Sequence, residues 1–240
     1  MTTKTAVLID GAFFLRCFRR SFSDRNHRDP AIVAKTALTV AIEHVKRAGR
    51  TKEALYRVFF YDCPPIEKKM HLPISGRAID FAKSDEAVFR RALHSALRQQ
   101  RKLALRLGQL SDHADWTLKP DAMRALRRHE IAWAELTDEH FHLDIKQKAV
   151  DMKIGLDIAS LAYKKLVDQV VLIAGDADFV PAAKLARREG IDFILNSMGQ
   201  TISPGLFEHI DGLHSVKLRP VAQPLIDFPT DAEHPAGDES

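Results

Sequence analysis

Cysteine is scarce: Cys17 and Cys63 are the only two in 240 residues, and no C-x-x-C pair occurs. This excludes a disulfide framework or a thiolate metal cage and fits a reducing, cytoplasmic compartment. Long apolar runs are also missing. The N-terminus MTTKTAVLIDG holds one lysine and four apolar residues in a row, Ala6 to Ile9, so neither a signal peptide nor a membrane-spanning helix is expected there or later. No G-x-G-x-x-G, G-x-x-x-x-G-K-[ST] or G-x-S-x-G is present, which removes the common phosphate cradles and the serine-hydrolase elbow. Internal repeats and heptads are absent too.

Bases are absent from the C-terminal stretch. Pro220 to Ser240 carries five acids and no Lys or Arg, whereas the residues before it carry 36 bases against 27 acids. A body of +9 suits a polyanionic partner such as RNA, while the proline-rich acidic end at 219–240 reads as a disordered tail. Residues 1–218 are expected to form one domain, since 45% hydrophobic content supports a sizeable core.

The apolar pattern alternates between strands and helices. Ala6–Ile9, Ala54–Asp62, Gln169–Gly175 and Ile191–Asn196 read as buried strands. Helices are expected over Pro30–Arg47, Asp85–Gln100, Lys119–His129, 149–166 and Phe179–Glu189, and a last strand near Leu213–Leu218 closes the sheet. Lys102–Leu110 reads as one alternating strand, inside an elaboration at about 66–140. Continuous apolar strands separated by amphipathic helices imply a three-layer α/β/α fold around a mostly parallel, Rossmann-like sheet.

In such a sheet, ligands bind beyond the carboxyl ends of the strands. Those ends carry aspartates here: Asp10, Asp62, and Asp176 with Asp178 in GDADF. Asp10 and Asp178 also suit helix caps, and Asp62 before Cys63-Pro-Pro suits a turn. Asp176 and Asp178 are close enough to repel unless a cation or proton lies between them. On a wheel of about 100° per residue, Asp151 falls in the apolar stripe of the helix 149–166, where an unpaired carboxylate is costly. Asp10, Asp151, Asp176 and Asp178 are therefore expected to converge into a hard oxygen site selecting Mg²⁺ or Mn²⁺. Asp157 falls about 120° away, near Lys153 and Lys164, and reads as an edge salt bridge. Lys148 is placed to face the pocket. His140 and His142 form an H-x-H with no evident third ligand.

The segments VLIDG, QKAVDMKIGLDIASLA, VVLIAGDADFVPAAKLARREG and ILNSMGQTISPGLFEHIDGL resemble the NYN domain, the LabA-like branch of the PIN-domain nuclease superfamily, over residues 5 to about 218. The resemblance implies a PIN-like fold and an aspartate-bound Mg²⁺ or Mn²⁺ site that cleaves RNA, single-stranded RNA being the expected substrate. By position it implies Asp10, Asp151, Asp176 and Asp178 as ligands and catalytic acids and an acid at Asp157 in a second tier, which Lys148 joins on its spacing from Asp151. Arg16, Arg19, Arg20, Arg187 and Arg188 are candidates for phosphate contacts. Two rivals stand beside this reading. One is a non-catalytic RNA-binding or regulatory module. The other is a haloacid-dehalogenase-type phosphatase, which wants an acid two residues after its nucleophilic Asp, whereas Asp10 is followed by Gly11 and Ala12. Oligomeric state is left open by the sequence.

Overall fold

The structure is a computed structural model that describes residues 3–22, 28–49, 51–216 and 218. In chain order the elements begin with β1 (Thr5–Asp10), α1 (Gly11–Ser21), α2 (Pro30–Arg47) and β2 (Leu55–Asp62). They continue with β3 (Lys69–His71), β4 (Ala78–Asp80), α3 (Asp85–Arg98), β5 (Leu103–Leu107), β6 (Gln109–Leu118), α4 (Pro120–Arg127) and β7 (Phe141–Lys148). The last third holds α5 (Val150–Tyr163), β8 (Gln169–Ile173), α6 (Val180–Arg188), β9 (Asp192–Asn196), α7 (Pro204–Phe207) and β10 (Gly212–Leu213). The acidic segment 219–240 lies outside the described residues. Among those described, no helix is long and apolar enough to cross a membrane.

Six strands form one sheet in the order β10-β9-β8-β1-β2-β5, and every neighbouring pair is parallel. The central strand β1 shows why. Side chains alternate along a strand, so Val7 and Ile9 pack with Phe14, Phe18 and the apolar face of α2 on one side, while Ala6 and Leu8 pack with Ile154, Ile158 and Ala183 on the other. All four are fully buried, each of the larger three stabilising the fold by about 1.5–3 kcal/mol. A strand with two apolar faces demands helices above and below, which gives the three-layer α/β/α architecture.

Local signals fix the helix starts. Asp29 accepts from the amides of Ala31 and Ile32 at 2.8 and 3.2 Å, and Pro30 follows at the first helical position of α2. Ser84 caps α3 through the Ala87 amide.

The middle region divides in two. α3 packs on α2, and β5 pairs with β2 as an edge of the main sheet, so this part belongs to the body. The excursions are the antiparallel pair β3–β4 and the ribbon β6–β7, which carries α4 between its strands. The single strand expected over Lys102–Leu110 is two strands. Gly108 separates them, and the close backbone approach there needs glycine, since a Cβ would stand 2.7 Å from both the Lys148 carbonyl and Val150 Cγ2. Trp116 ties the excursions together, its indole N–H donating to the His71 carbonyl at 2.9 Å. His140 lies in a 3-10 turn and His142 on β7, so the H-x-H does not share one strand face.

Candidate active site

Strand order reverses between β1 and β8: the chain leaves β1 toward β2 and β5, and leaves β8 toward β9 and β10. Such a switch point opens a crevice at the carboxyl ends of the strands. Asp10 ends β1, and Ile9 pairs in register with Ile173 of β8, so Ala174, Gly175 and Asp176 emerge beside it. The ribbon strand β7 reaches the same place and turns into α5 at Ala149, which adopts φ 68°. A cleft of about 330 Å³ results, with Asp10, Asp151 and Asp176 in its lining beside Phe13, Arg16 and Gln147.

Gly175 is required by this packing. A Cβ at that position would come within 2.5 Å of the Phe13 ring, which forms an apolar wall between the two strand ends.

The carboxylates are coupled. Burial pushes the Asp10 carboxyl above the ordinary aspartate value and the nearby Asp151 charge pushes it further, against the pull of the Phe13 amide. Partial desolvation raises Asp151 as well, followed by the charges of Asp176 and Asp178. Of the two cap readings, the one for Asp10 holds beside the convergence and the one for Asp178 does not. Asp10 caps α1 by accepting from the Phe13 amide at 3.2 Å. In GDADF the capping acceptor is Asp176, which takes the Asp178 amide at 3.1 Å, and α6 starts only at Val180. Asp178 stands at the rim, exposed and outside the cleft lining.

Asp151 differs from its expected setting. It is exposed, and the buried side chains of α5 are Ile154, Ile158, Leu161 and Ala162. A helical wheel treats every turn as equally covered, whereas the first turn of α5 adjoins the strand ends and its inward side opens on the cleft.

Asp157 does form a salt bridge, but not with lysine. Arg106 of β5 donates to it at 2.7 and 3.1 Å, and the Tyr61 hydroxyl donates at 2.7 Å. Lys153 instead donates to the Leu107 carbonyl. Lys148, the last residue of β7, is not among the residues lining the cleft, whereas Gln147, Ala149 and Val150 are. Gln147 was not singled out from the sequence, although the alternation of HFHLDIKQK was the available signal.

The arginines separate into two groups. Arg16 lies in the cleft, its guanidinium 5.6 Å from the centre of the Phe13 ring. Arg19 pairs with Glu86 at 2.8 Å, and Arg20 donates to Gln200 at 3.3 Å. Arg187 and Arg188 sit at the far end of α6, next to the amino ends of the strands. Arg187 pairs there with Asp211 at 2.8 Å, and Arg188 approaches Glu189 at 3.6 Å. A nine-residue helix spans about 13 Å, so these two cannot serve the acidic cleft.

Asp62 is not a turn residue. Its side chain is fully buried, accepts from Arg90, and meets His94 Nε2 at 2.8 Å. Burial alone would raise its pKa, but the hydrogen bonds and charges of His94 and Arg90 prevail and hold it below the ordinary value. The sequence signal for this network was the i, i+4 spacing of Glu86, Arg90 and His94 on one face of α3.

Among the described residues, no group of three or more His, Cys, Asp or Glu side chains is arranged closely enough to hold a metal ion. The donor chemistry of the cleft nevertheless suits a hard divalent cation, since its side-chain donors are oxygens, three carboxylates beside the Gln147 amide, and two of the carboxylates are raised by burial and mutual repulsion.

The chain belongs to the NYN domain family, whose profile matches residues 76–215. That family is part of the PIN-like nuclease superfamily, whose nucleases generally use divalent metals and whose domains typically bind RNA. The matched span holds Asp151, Asp176 and Asp178, while Asp10 lies outside it and joins them through the sheet. A crystal structure of a protein of unknown function from Vibrio parahaemolyticus is similar over 90% of this chain and 94% of that one, at 16% identity and a TM-score of 0.45. Comparison with curated proteins finds no match.

Proposed function

We propose that this protein is a metal-dependent ribonuclease of the LabA-like NYN branch, hydrolysing single-stranded RNA at the cleft between β1 and β8, and that it works in the cytoplasm. The observation that carries this reading is the meeting of Asp10, Asp151 and Asp176 from three separate elements in one cleft. Asp10, Asp151 and Asp176 would hold Mg²⁺ or Mn²⁺, with Asp178 at the rim. When bound, such a cation supplies a water of lowered pKa and stabilises charge developing on the phosphorane and leaving oxygen.

The chain's own residues have separate tasks. In the metal-free protein, protonation of Asp10 or Asp151, both raised above the ordinary aspartate value, eases their repulsion. Arg16 offers the positive charge next to the acids and suits a phosphate oxygen on the RNA backbone. Gln147 presents an amide that can both donate and accept. Phe13 shields one wall from water. The domain assignment follows the same reading: residues 1–218 form the NYN unit, and 219–240 an acidic tail whose sign works against RNA binding.

Purified protein with Mn²⁺ or Mg²⁺ should cut single-stranded RNA, EDTA should abolish cleavage, and Asp151→Asn should abolish it without loss of fold. A second reading, a non-catalytic RNA-binding module, is favoured by the absence among the described residues of three donors already in ligating arrangement. RNA binding without cleavage of single-stranded, structured or duplex RNA would select it. Hydrolysis of small phosphomonoesters without RNA cleavage would instead favour a phosphatase.

A further inference from the structure

α4 is held by one side only. Ala122 is buried, Ala125 and Leu126 are half-buried, and at about 100° per residue the three share one side of the helix. Arg124, Arg127 and Arg128 fall within about 100° of one another on the opposite side, and all are exposed. Arg128 approaches Glu130 at 3.7 Å, whereas among the described residues Arg124 and Arg127 have no acidic partner. Asp121, in the first turn, pairs with none of them. Like charges three and four residues apart on a helix repel, so this face is destabilising until a polyanion covers it.

The two tryptophans of the chain have opposite settings. Trp116 packs on the Phe81 ring at 6.1 Å between centres and donates to the His71 carbonyl. Trp133 is 70% exposed, and among the described residues its ring has no aromatic or cationic neighbour and its N–H no acceptor. It follows Arg128 by five residues and so lies within about 18 Å of it, beyond a turn in which His129 adopts φ 58° and α4 ends. A lone exposed aromatic is unremarked on most surfaces. An indole beside unpaired guanidinium groups is the combination that holds unpaired nucleotides, whose bases stack on the ring while their phosphates meet the arginines. Duplex RNA keeps its bases stacked inside, and an acidic protein surface would use the charges without using the indole.

The ribbon sets the distance from this surface to the cleft. Gln147 of β7 lines the cleft, and Phe141, six residues earlier on the same strand, pairs with Leu118 just before α4. The Lys119 amide donates to the His140 carbonyl at 2.8 Å and fixes the helix start there. Six steps of extended chain measure about 20 Å. Between the two places the ribbon is of mixed sign, with Asp115 opposite Asp144 and Lys146 nearby, so they are separate contacts rather than one basic track.

We propose that α4 and the turn after it form a second anchor for single-stranded RNA, in which Arg124, Arg127 and Arg128 take backbone phosphates and Trp133 stacks on a base. The anchor rests on RNA being the ligand of the cleft, and it supplies what the cleft has little of. Among the described residues that line the cleft, Arg16 is the one base beside three carboxylates. A strand held on α4 is presented to the cleft at high effective concentration despite that acidic lining.

Fluorescence anisotropy of a labelled 20-nucleotide single-stranded RNA, with the full chain in EDTA so that binding is read without cleavage, tests this. Replacing both Arg124→Ala and Arg127→Ala should weaken binding at least tenfold and make the dependence of log affinity on log salt shallower by about 1.4. Trp133→Ala should weaken binding at least fivefold, Trp133→Phe should restore most of the loss, and the duplex of the same sequence should bind at least tenfold less tightly. These side chains are exposed, so each variant should melt with wild type. Absence of RNA binding by wild type would overturn the proposal, as would binding indifferent to the arginine and tryptophan substitutions or equal for duplex and single strand. Competition by polyglutamate as effective as by unlabelled RNA would also overturn it and mark an acidic protein as the partner. Binding that depends on Arg124, Arg127 and Trp133, without cleavage in Mn²⁺, would support the anchor and remove the nuclease reading; cleavage with binding indifferent to those residues would do the reverse.

Discussion

Asp10 combines a helix cap with membership of the acidic cleft, and two substitutions separate these roles. Asp10→Asn keeps a side-chain oxygen for the Phe13 amide, now 3.2 Å from the carboxylate, but deletes the charge. Asp10→Ala deletes both. Loss of an N-cap costs about 1 kcal/mol, which in a domain of this size lowers the melting temperature by about 2–4 °C. Asn caps as well as Asp, so the first substitution carries no such cost and removes repulsion from Asp151. Melting in EDTA should therefore place Asp10→Asn at or above wild type and Asp10→Ala below it. The pH dependence has a definite sign. Burial and Asp151 raise the folded-state pKa, so the favourable contribution of protonated Asp10 is complete below the ordinary value of 3.8 and is lost as pH rises through the folded-state value. Asp10→Asn should accordingly gain on wild type as pH rises. If both substitutions destabilise equally, or if Asp10→Asn loses stability with rising pH relative to wild type, the ionised carboxylate supports the fold and the repelling cluster is wrong.

Asp62→Ala should cost about 3–5 kcal/mol by chemical denaturation, because it leaves the Arg90 guanidinium, 15% exposed, without its buried partner; a loss under 1 kcal/mol would refute the network. Since Asp62 is held below its ordinary pKa, its stabilisation is present above about pH 4 and should fade as pH falls through the folded-state value, an acid limb missing from Asp62→Ala. Asp157→Asn should leave RNA cleavage within about twofold while lowering thermal stability, because Asp157 is bound to Arg106 and Tyr61 rather than turned to the cleft; abolished cleavage with an intact fold would make it a ligand. Gly175→Ala should cost about 1–3 kcal/mol by overpacking against the Phe13 ring, and an unchanged melting temperature would show that the ring moves aside freely.

Much of the fold is legible because continuous apolar strands and capped helices are local signals. Asp29-Pro30 sets the start of α2, and the two apolar faces of Ala6–Ile9 demand covering layers. The site is legible to the extent that strand ends carry it, which is how Asp10 and Asp176 are found. What fails is whatever depends on where a chain segment lies in space. Arg187 and Arg188 follow the GDADF block closely in sequence, yet α6 carries them to the opposite edge of the sheet. Gln147 lines the cleft and its neighbour Lys148 does not. The buried pairing of Asp62 depends on α3 crossing the end of β2, and the strand break at Gly108 depends on the backbone of Lys148, forty residues later. Local spacing marks the helix and strand faces involved, as with Glu86, Arg90 and His94, but not which distant segment each face meets.

Calorimetric titration of Mn²⁺ into the metal-free protein, wild type beside Asp176→Asn, tests the acidic cleft most directly. Wild type should show saturable binding and a melting temperature that rises with Mn²⁺, because the ion relieves carboxylate repulsion in the folded state alone. Asp176→Asn should lose most of the binding heat and the thermal shift, while melting in EDTA no lower than wild type. Equal binding by the two proteins, or no binding by wild type, would contradict a metal site built on Asp10, Asp151 and Asp176.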